Sequence, residues 1–153
     1  MIHFAKRIAT FFLAAIISIG ASAAPDKSTP EQAQAMVKKA VAYMKSHDRD
    51  AALAEFSNPK GSFIDRDLYI FVIDLQGKMV AHGALPKIIN KQVLEMKDPD
   101  DKYLFKDMLA VANGAGSGWV HYKWPNPSSK AIEPKSTFVE KVGDLVIGCG
   151  VYN

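Results

Sequence analysis

Three β-rich runs close this chain: residues 118–124, 135–142 and 145–151. The last two are separated only by Gly143-Asp144, a tight connection of the kind that joins antiparallel strands. The first two are joined by "PNPSSKAIEP", read as a loop because its prolines cannot donate to a ladder. Three consecutive strands so connected must form a sheet, and the rest of the chain has to cover it.

Upstream, the periodicity is mainly helical. Thr29 stands as an N-cap, with Pro30 at the first helical position and Glu31-Gln32 in the first turn. "EQAQAMVKKAVAYMKSH" then places Ala33, Met36, Val37, Ala40, Val41 and Met44 three and four residues apart, one apolar stripe. "DRDAALAEFSNPKG" reads as a shorter helix stopped by Asn58-Pro59 and Gly61. A hairpin follows, residues 68–73 and 78–82 around Gln76-Gly77. After an irregular segment, Asp98 caps a third helix with Pro99 at its first position. Tyr103, Leu104, Met108, Leu109, Val111 and Ala112 form its buried face. Helices segregated from an antiparallel sheet make an α+β domain, with one sheet face covered and the other available.

The first residues set the compartment. Lys6 and Arg7 precede an apolar run over residues 8–20, and Ala21-Ser22-Ala23 supplies small residues before a cleavage point. That is the pattern of a secretory signal, too short for a membrane span. The expectation is a cleaved signal over residues 1–23, a linker over 24–30 and a single domain over 31–153, soluble and periplasmic or secreted. Loss of Lys6 and Arg7 brings the formal charge from +3 to +1, which does not suit a nucleic-acid binder. A single cysteine cannot close an internal disulfide, so the fold rests on its core, for which 48% apolar residues suffice.

Enzyme signatures are absent: no G-x-S-x-G, P-loop, H-E-x-x-H or dinucleotide glycine pattern occurs. His47, His82 and His121 have no ligand-like spacing, so neither metal nor cofactor is expected. Cys149, between Gly148 and Gly150, reads as a small buried residue, and a catalytic role would need a histidine beside it. Binding residues remain. Strand alternation puts Trp119, His121 and Lys123 on one side and Val120, Tyr122 and Trp124 on the other. Lys135, Thr137 and Val139 likewise oppose Ser136, Phe138 and Glu140. If either set faces a pocket, aromatic walls beside a lysine suit a small organic anion, because excluded water strengthens the ion pair. Core packing accounts for the same aromatics equally well.

"NPKGSFIDRDLYIFVIDLQGKMVAHG", "DPDDKYLFKDMLAVANGAGSGWVHYKWPNP" and "IEPKSTFVEKVGDLVIGCGVYN" together resemble the single Cache domains of the second type, over nearly all of the chain after the signal. These are extracytoplasmic ligand-sensing domains of bacterial chemoreceptors and histidine kinases. The resemblance implies a long N-terminal helix on a PAS-like five-stranded antiparallel sheet. It also implies a pocket on the other sheet face for a short carboxylate of the acetate, propionate, lactate or pyruvate type. The implied site residues are Tyr69, Phe71, His82, Trp119, Tyr122 and Lys135. Lys135 takes the carboxylate charge, Tyr122 or His82 donates to an oxygen, and the aromatics enclose the alkyl part. Strand parity keeps Trp119 and Tyr122 from sharing a face without a bulge. The family's usual tyrosine after K-S-T is Phe138 here, which removes a donor from the expected set.

Such sensors continue into a membrane span and a signalling module, whereas this sequence stops just after its last strand. The expectation is therefore a stand-alone binder that presents its ligand to a membrane receptor or kinase, with a homodimer through the N-terminal helix as a further option. Two other readings stay open: an interaction module without a small ligand, and a small enzyme using Cys149 or a histidine.

Overall fold

The structure, a computed structural model, describes residues 27–153. The signal expected over residues 1–23 lies outside them. Helix α1 spans Pro30–Ser46 and begins with a reciprocal cap. The Gln32 amide N–H donates to Thr29 Oγ1 at 3.3 Å, and the Thr29 amide donates to Gln32 Oε1 at 2.9 Å. Two otherwise orphaned donors are thereby satisfied. Helix α2, Arg49–Phe56, follows with Asp48 as its cap.

Two short strands, β1 (Ile64–Asp65) and β2 (Leu68–Tyr69), pair with each other. The main sheet contains β3 (Phe71–Asp74), β4 (Met79–His82), β5 (Ser117–Pro125), β6 (Ile132–Val142) and β7 (Leu145–Tyr152). Its order is β4-β3-β7-β6-β5, antiparallel throughout. The expected five-stranded sheet and long helix are both present. Gly143, at φ 59°, makes the β6–β7 turn in the left-handed region that suits glycine.

Helix α1 covers one sheet face. Ala33, Val37, Ala40 and Val41 pack with Phe138, Ile147, Cys149 and Val151 in an apolar layer that also takes in Phe56 and Phe63. The other face is not left bare, contrary to the sequence reading. Helix α3, Leu104–Ala115, crosses it and buries Leu104, Phe105, Met108, Leu109 and Ala112 against Phe71, Tyr122, Val139 and Tyr152.

Two details of α3 differ from expectation. Its first residue is Leu104, because Asp98 is engaged elsewhere. Asp98 Oδ1 accepts from the amides of Asp100 and Lys102, and Oδ2 accepts from that of Lys123 on β5. The side chain ties a loop to the sheet edge instead of capping a helix. Tyr103, placed in the buried face by periodicity, is exposed between Lys97 and Lys106, whose ammonium groups lie 4.7 and 4.0 Å from its ring. Phe105 takes the interior position. Pro125 and Pro134 also belong to strands rather than to the connecting loop.

Candidate functional site

The strand register fixes which side chains meet. Tyr122 on β5 lies opposite Lys135 on β6, and Lys135 lies opposite Tyr152 on β7. One row across the sheet is therefore tyrosine, lysine, tyrosine, all on the face beneath α3. The next row is Val120, Thr137 and Gly150. Tyr122 OH and Thr137 Oγ1 lie 2.8 Å apart and share a hydrogen bond.

Two glycines of β7 make room for this layer. A Cβ on Gly150 would fall 2.8 Å from Lys135 Cε and 2.2 Å from Thr137 Oγ1. One on Gly148 would fall 2.3 Å from Phe71 Cζ. The lysine stem and the phenylalanine ring can lie down on the strand only because β7 has no side chains there.

Lys135 is 1% exposed. Its ammonium donates to Tyr69 OH at 2.7 Å and to Tyr152 OH at 3.2 Å, and sits 4.0 and 4.5 Å from the two ring centres. The two hydroxyls are 3.2 Å apart, and Tyr152 OH donates onward to the Pro125 carbonyl. Among the described residues no carboxylate forms an ion pair with Lys135. Burial without a counter-charge disfavours the ammonium and pulls its pKa from the ordinary 10.5 to about 7. The same burial holds the phenols of Tyr69, Tyr122 and Tyr152 above their ordinary range.

His82 ends β4 at the side of this cluster and is 2% exposed. Its Nδ1 accepts from the amides of Ala84 and Leu85 at 3.2 and 2.9 Å, which leaves the proton on Nε2. Burial, and secondarily Lys135, push its pKa down to about 3, so the ring is neutral at ordinary pH. His82 lies against Tyr69, with ring centres 4.9 Å apart, and faces Phe71 at 6.1 Å. Phe105 of α3 meets both Phe71 and Trp124 edge-on.

A cavity of about 190 Å³ opens beside these groups, lined by Tyr69, His82, Leu85, Trp124, Pro125 and Lys130 among others. That is about six times the volume of a water molecule in the liquid. A larger hollow, about 490 Å³, lies on the other side of Tyr152. It is walled by Lys27, Arg66, Asp67 and Glu133, charges of both signs that favour no one kind of ion. The smaller cavity has the chemistry of a ligand site, aromatic walls with a few convergent polar groups, and Tyr69 in its wall links it to the Lys135 amine. Lys135 itself lines a separate hollow of about 250 Å³ with Tyr122, His121, Asp98 and Asp100.

Five of the six expected site residues, Tyr69, Phe71, His82, Tyr122 and Lys135, come together on this face. Trp119 does not. It pairs with Phe138 on the α1 face, ring centres 5.4 Å apart, because no bulge intervenes between it and Tyr122. The substitution of tyrosine by Phe138 therefore falls in the helix-facing layer and removes no donor from the cluster. Sequence reasoning missed Tyr152 and Trp124. Alternation along β7 could have found the first, since Gly148, Gly150 and Tyr152 oppose Cys149 and Val151. Cys149 is buried beneath α1 with its Sγ 3.7 Å from Met36 Sδ. Its thiol is pushed up to about 12, far from nucleophilic at neutral pH.

The family model for single Cache domain 2 matches residues 8–153. The methyl-accepting chemotaxis protein McpP of Pseudomonas putida is 34% identical over 90 residues, 58% of this chain and 16% of McpP. The sensor histidine kinase MctS of Rhizobium johnstonii is 34% identical over 89 residues, 57% of this chain and 19% of the kinase. The chain thus spans less than a fifth of the length of either relative. A Cache chemosensory domain solved as the structural basis for carboxylic acid recognition superposes with a TM-score of 0.68 at 27% identity, covering 80% of this chain and 91% of that one. The match to the family model spans the helix, the sheet and the lysine–tyrosine row alike, and the chain belongs to the single Cache domain 2 family.

Proposed function

We propose that this is an extracytoplasmic sensor domain that binds a short-chain carboxylate against Lys135. One observation carries the reading: a lysine buried to 1% exposure whose ammonium has two phenols and no carboxylate for partners among the described residues. An ammonium has three N–H donors, and two are committed to the tyrosines. An anion taking the third supplies the missing counter-charge in a place where water does not screen it. Tyr69 and Tyr152 position the ammonium, and His82 Nε2–H is a neutral donor for a carboxylate oxygen. Trp124 and Leu85 offer apolar surface to an alkyl group of two or three carbons. The solved Cache domain that recognises carboxylic acid supports this ligand class, and the signal-like first residues support an exported protein. McpP and MctS point to a chemoreceptor or kinase as the partner that reads occupancy.

Thermal unfolding of the domain with acetate, propionate, lactate and pyruvate tests the reading. A ligand at about 100 times its Kd adds about 2.7 kcal/mol to the folded state, a rise of several degrees in Tm. The expected result is such a rise with at least one of these acids, lost in Lys135→Gln. No rise with any of them, or an equal rise in the variant, overturns it.

A further inference from the structure

We propose that anion capture at Lys135 is coupled to proton uptake: the amine waits neutral among its tyrosines and becomes an ammonium as the carboxylate arrives. The inference rests on the carboxylate reading and adds to it a dependence on pH.

The geometry carries it. Lys135 is enclosed by four other strands and the segment before β2, and the groups they present to it are few. Tyr69 comes from β2, His82 from β4, Tyr122 from β5, and Cys149 and Tyr152 from β7. The acids in the neighbourhood are Asp67, between β1 and β2, and Asp98 and Asp100, which line a hollow of about 250 Å³ with Lys135 alongside Lys102, His121 and Lys123; none of the three is within ion-pair distance of the Lys135 amine. Asp67 is engaged by Ser28 Oγ. Asp67 favours the ammonium only from a distance, and among the described residues no fixed negative charge touches it before the ligand comes.

Hydroxyls, by contrast, serve either protonation state. Tyr69 OH, 2.7 Å from Nζ, accepts from an ammonium or donates to the lone pair of a neutral amine, with the heavy atoms in the same places. The cluster can thus hold both forms without rearrangement. The carboxylate is already ionised at neutral pH. The proton comes from solvent, and the new N–H bond forms on the amine lone pair. Tyr69 turns its hydroxyl proton to Tyr152 or to the anion. Burial places the amine at about 7, while His82 stays neutral down to about 3 and the thiol and phenols titrate far above.

The test is isothermal titration calorimetry of the wild-type domain with propionate, in pairs of buffers that differ in ionisation enthalpy. At about pH 8.5 the expected uptake is about one proton per propionate bound, falling toward zero at about pH 5.5. The Kd should be flat below about pH 6 and rise about tenfold per pH unit above about pH 7.5. Binding at about pH 8.5 with no proton taken up overturns the coupling and leaves the carboxylate site standing. Failure of acetate, propionate, lactate and pyruvate to bind at either pH overturns both.

Discussion

The two faces of the five-stranded sheet share their strands and differ in almost everything else. Toward α1, β6 and β7 present Phe138, Ile147, Cys149 and Val151 in an apolar layer, with Glu140 paired to Lys38 of α1 at its rim. Toward α3, the same strands present Lys135, Thr137 and Tyr152, with glycines between. The first face is made of groups that lose nothing by leaving water. The second buries an amine, three phenols and an imidazole, each costly to desolvate unless a partner is found. Within the second face every hydroxyl is hydrogen-bonded, and the amine has hydrogen bonds but no counter-charge. A protein selected for stability alone would do better with methionine at position 135. The contrast teaches that the α1 side holds the fold, whereas the α3 side keeps a buried amine without a counter-charge for a ligand.

That division can be broken by substitution. The largest effect belongs to the α1 side. Ile147→Ala, fully buried there, should lower stability in urea unfolding by about 2–5 kcal/mol, while calorimetry on the folded fraction finds its propionate affinity within about twofold of wild type. A large loss of affinity without loss of stability would erase the distinction between faces. A smaller effect belongs to the site side. Tyr152→Phe keeps the ring over Lys135 and removes the hydroxyl that links it to Pro125, so its Kd should weaken by about five- to tenfold, about 1 kcal/mol. An unchanged Kd would remove Tyr152 from the site.

Much of this was legible in the chain beforehand. The helical stripe of α1 and the two hairpins follow from periodicity and turn residues, and strand parity separated Tyr122 from Trp119. Parity alone could not say which set faced the helix, since Trp119 and Tyr122 fit either layer. That choice is settled by the register across three strands, a long-range property. Asp98 shows the same limit. Asp-Pro at a helix-like start satisfied the local rules for a cap, yet its carboxylate is held by the amide of Lys123, 25 residues away. Tyr152 was missed because a strand's final turn of alternation looks like a frayed terminus until Lys135 is seen opposite it. That Lys135 has no carboxylate partner among the described residues has no local signal at all. It exists only once six elements are packed.

The dependence of stability on pH reads that charge directly. In the folded protein the amine has its pKa lowered to about 7, and in the unfolded chain it returns to the ordinary 10.5. Between these values the unfolded chain holds a proton that the folded one lacks, so the contribution of Lys135 to stability rises with pH across this window. Below about 7 both states are protonated, and the full desolvation penalty applies. The decisive measurement is therefore urea unfolding of the ligand-free wild type and Lys135→Met at about pH 6 and at about pH 10. The account predicts a variant more stable than wild type at the lower pH, by a margin that narrows at the higher one, and unable to bind propionate. A variant less stable than wild type at the lower pH, or one that still binds, would contradict it.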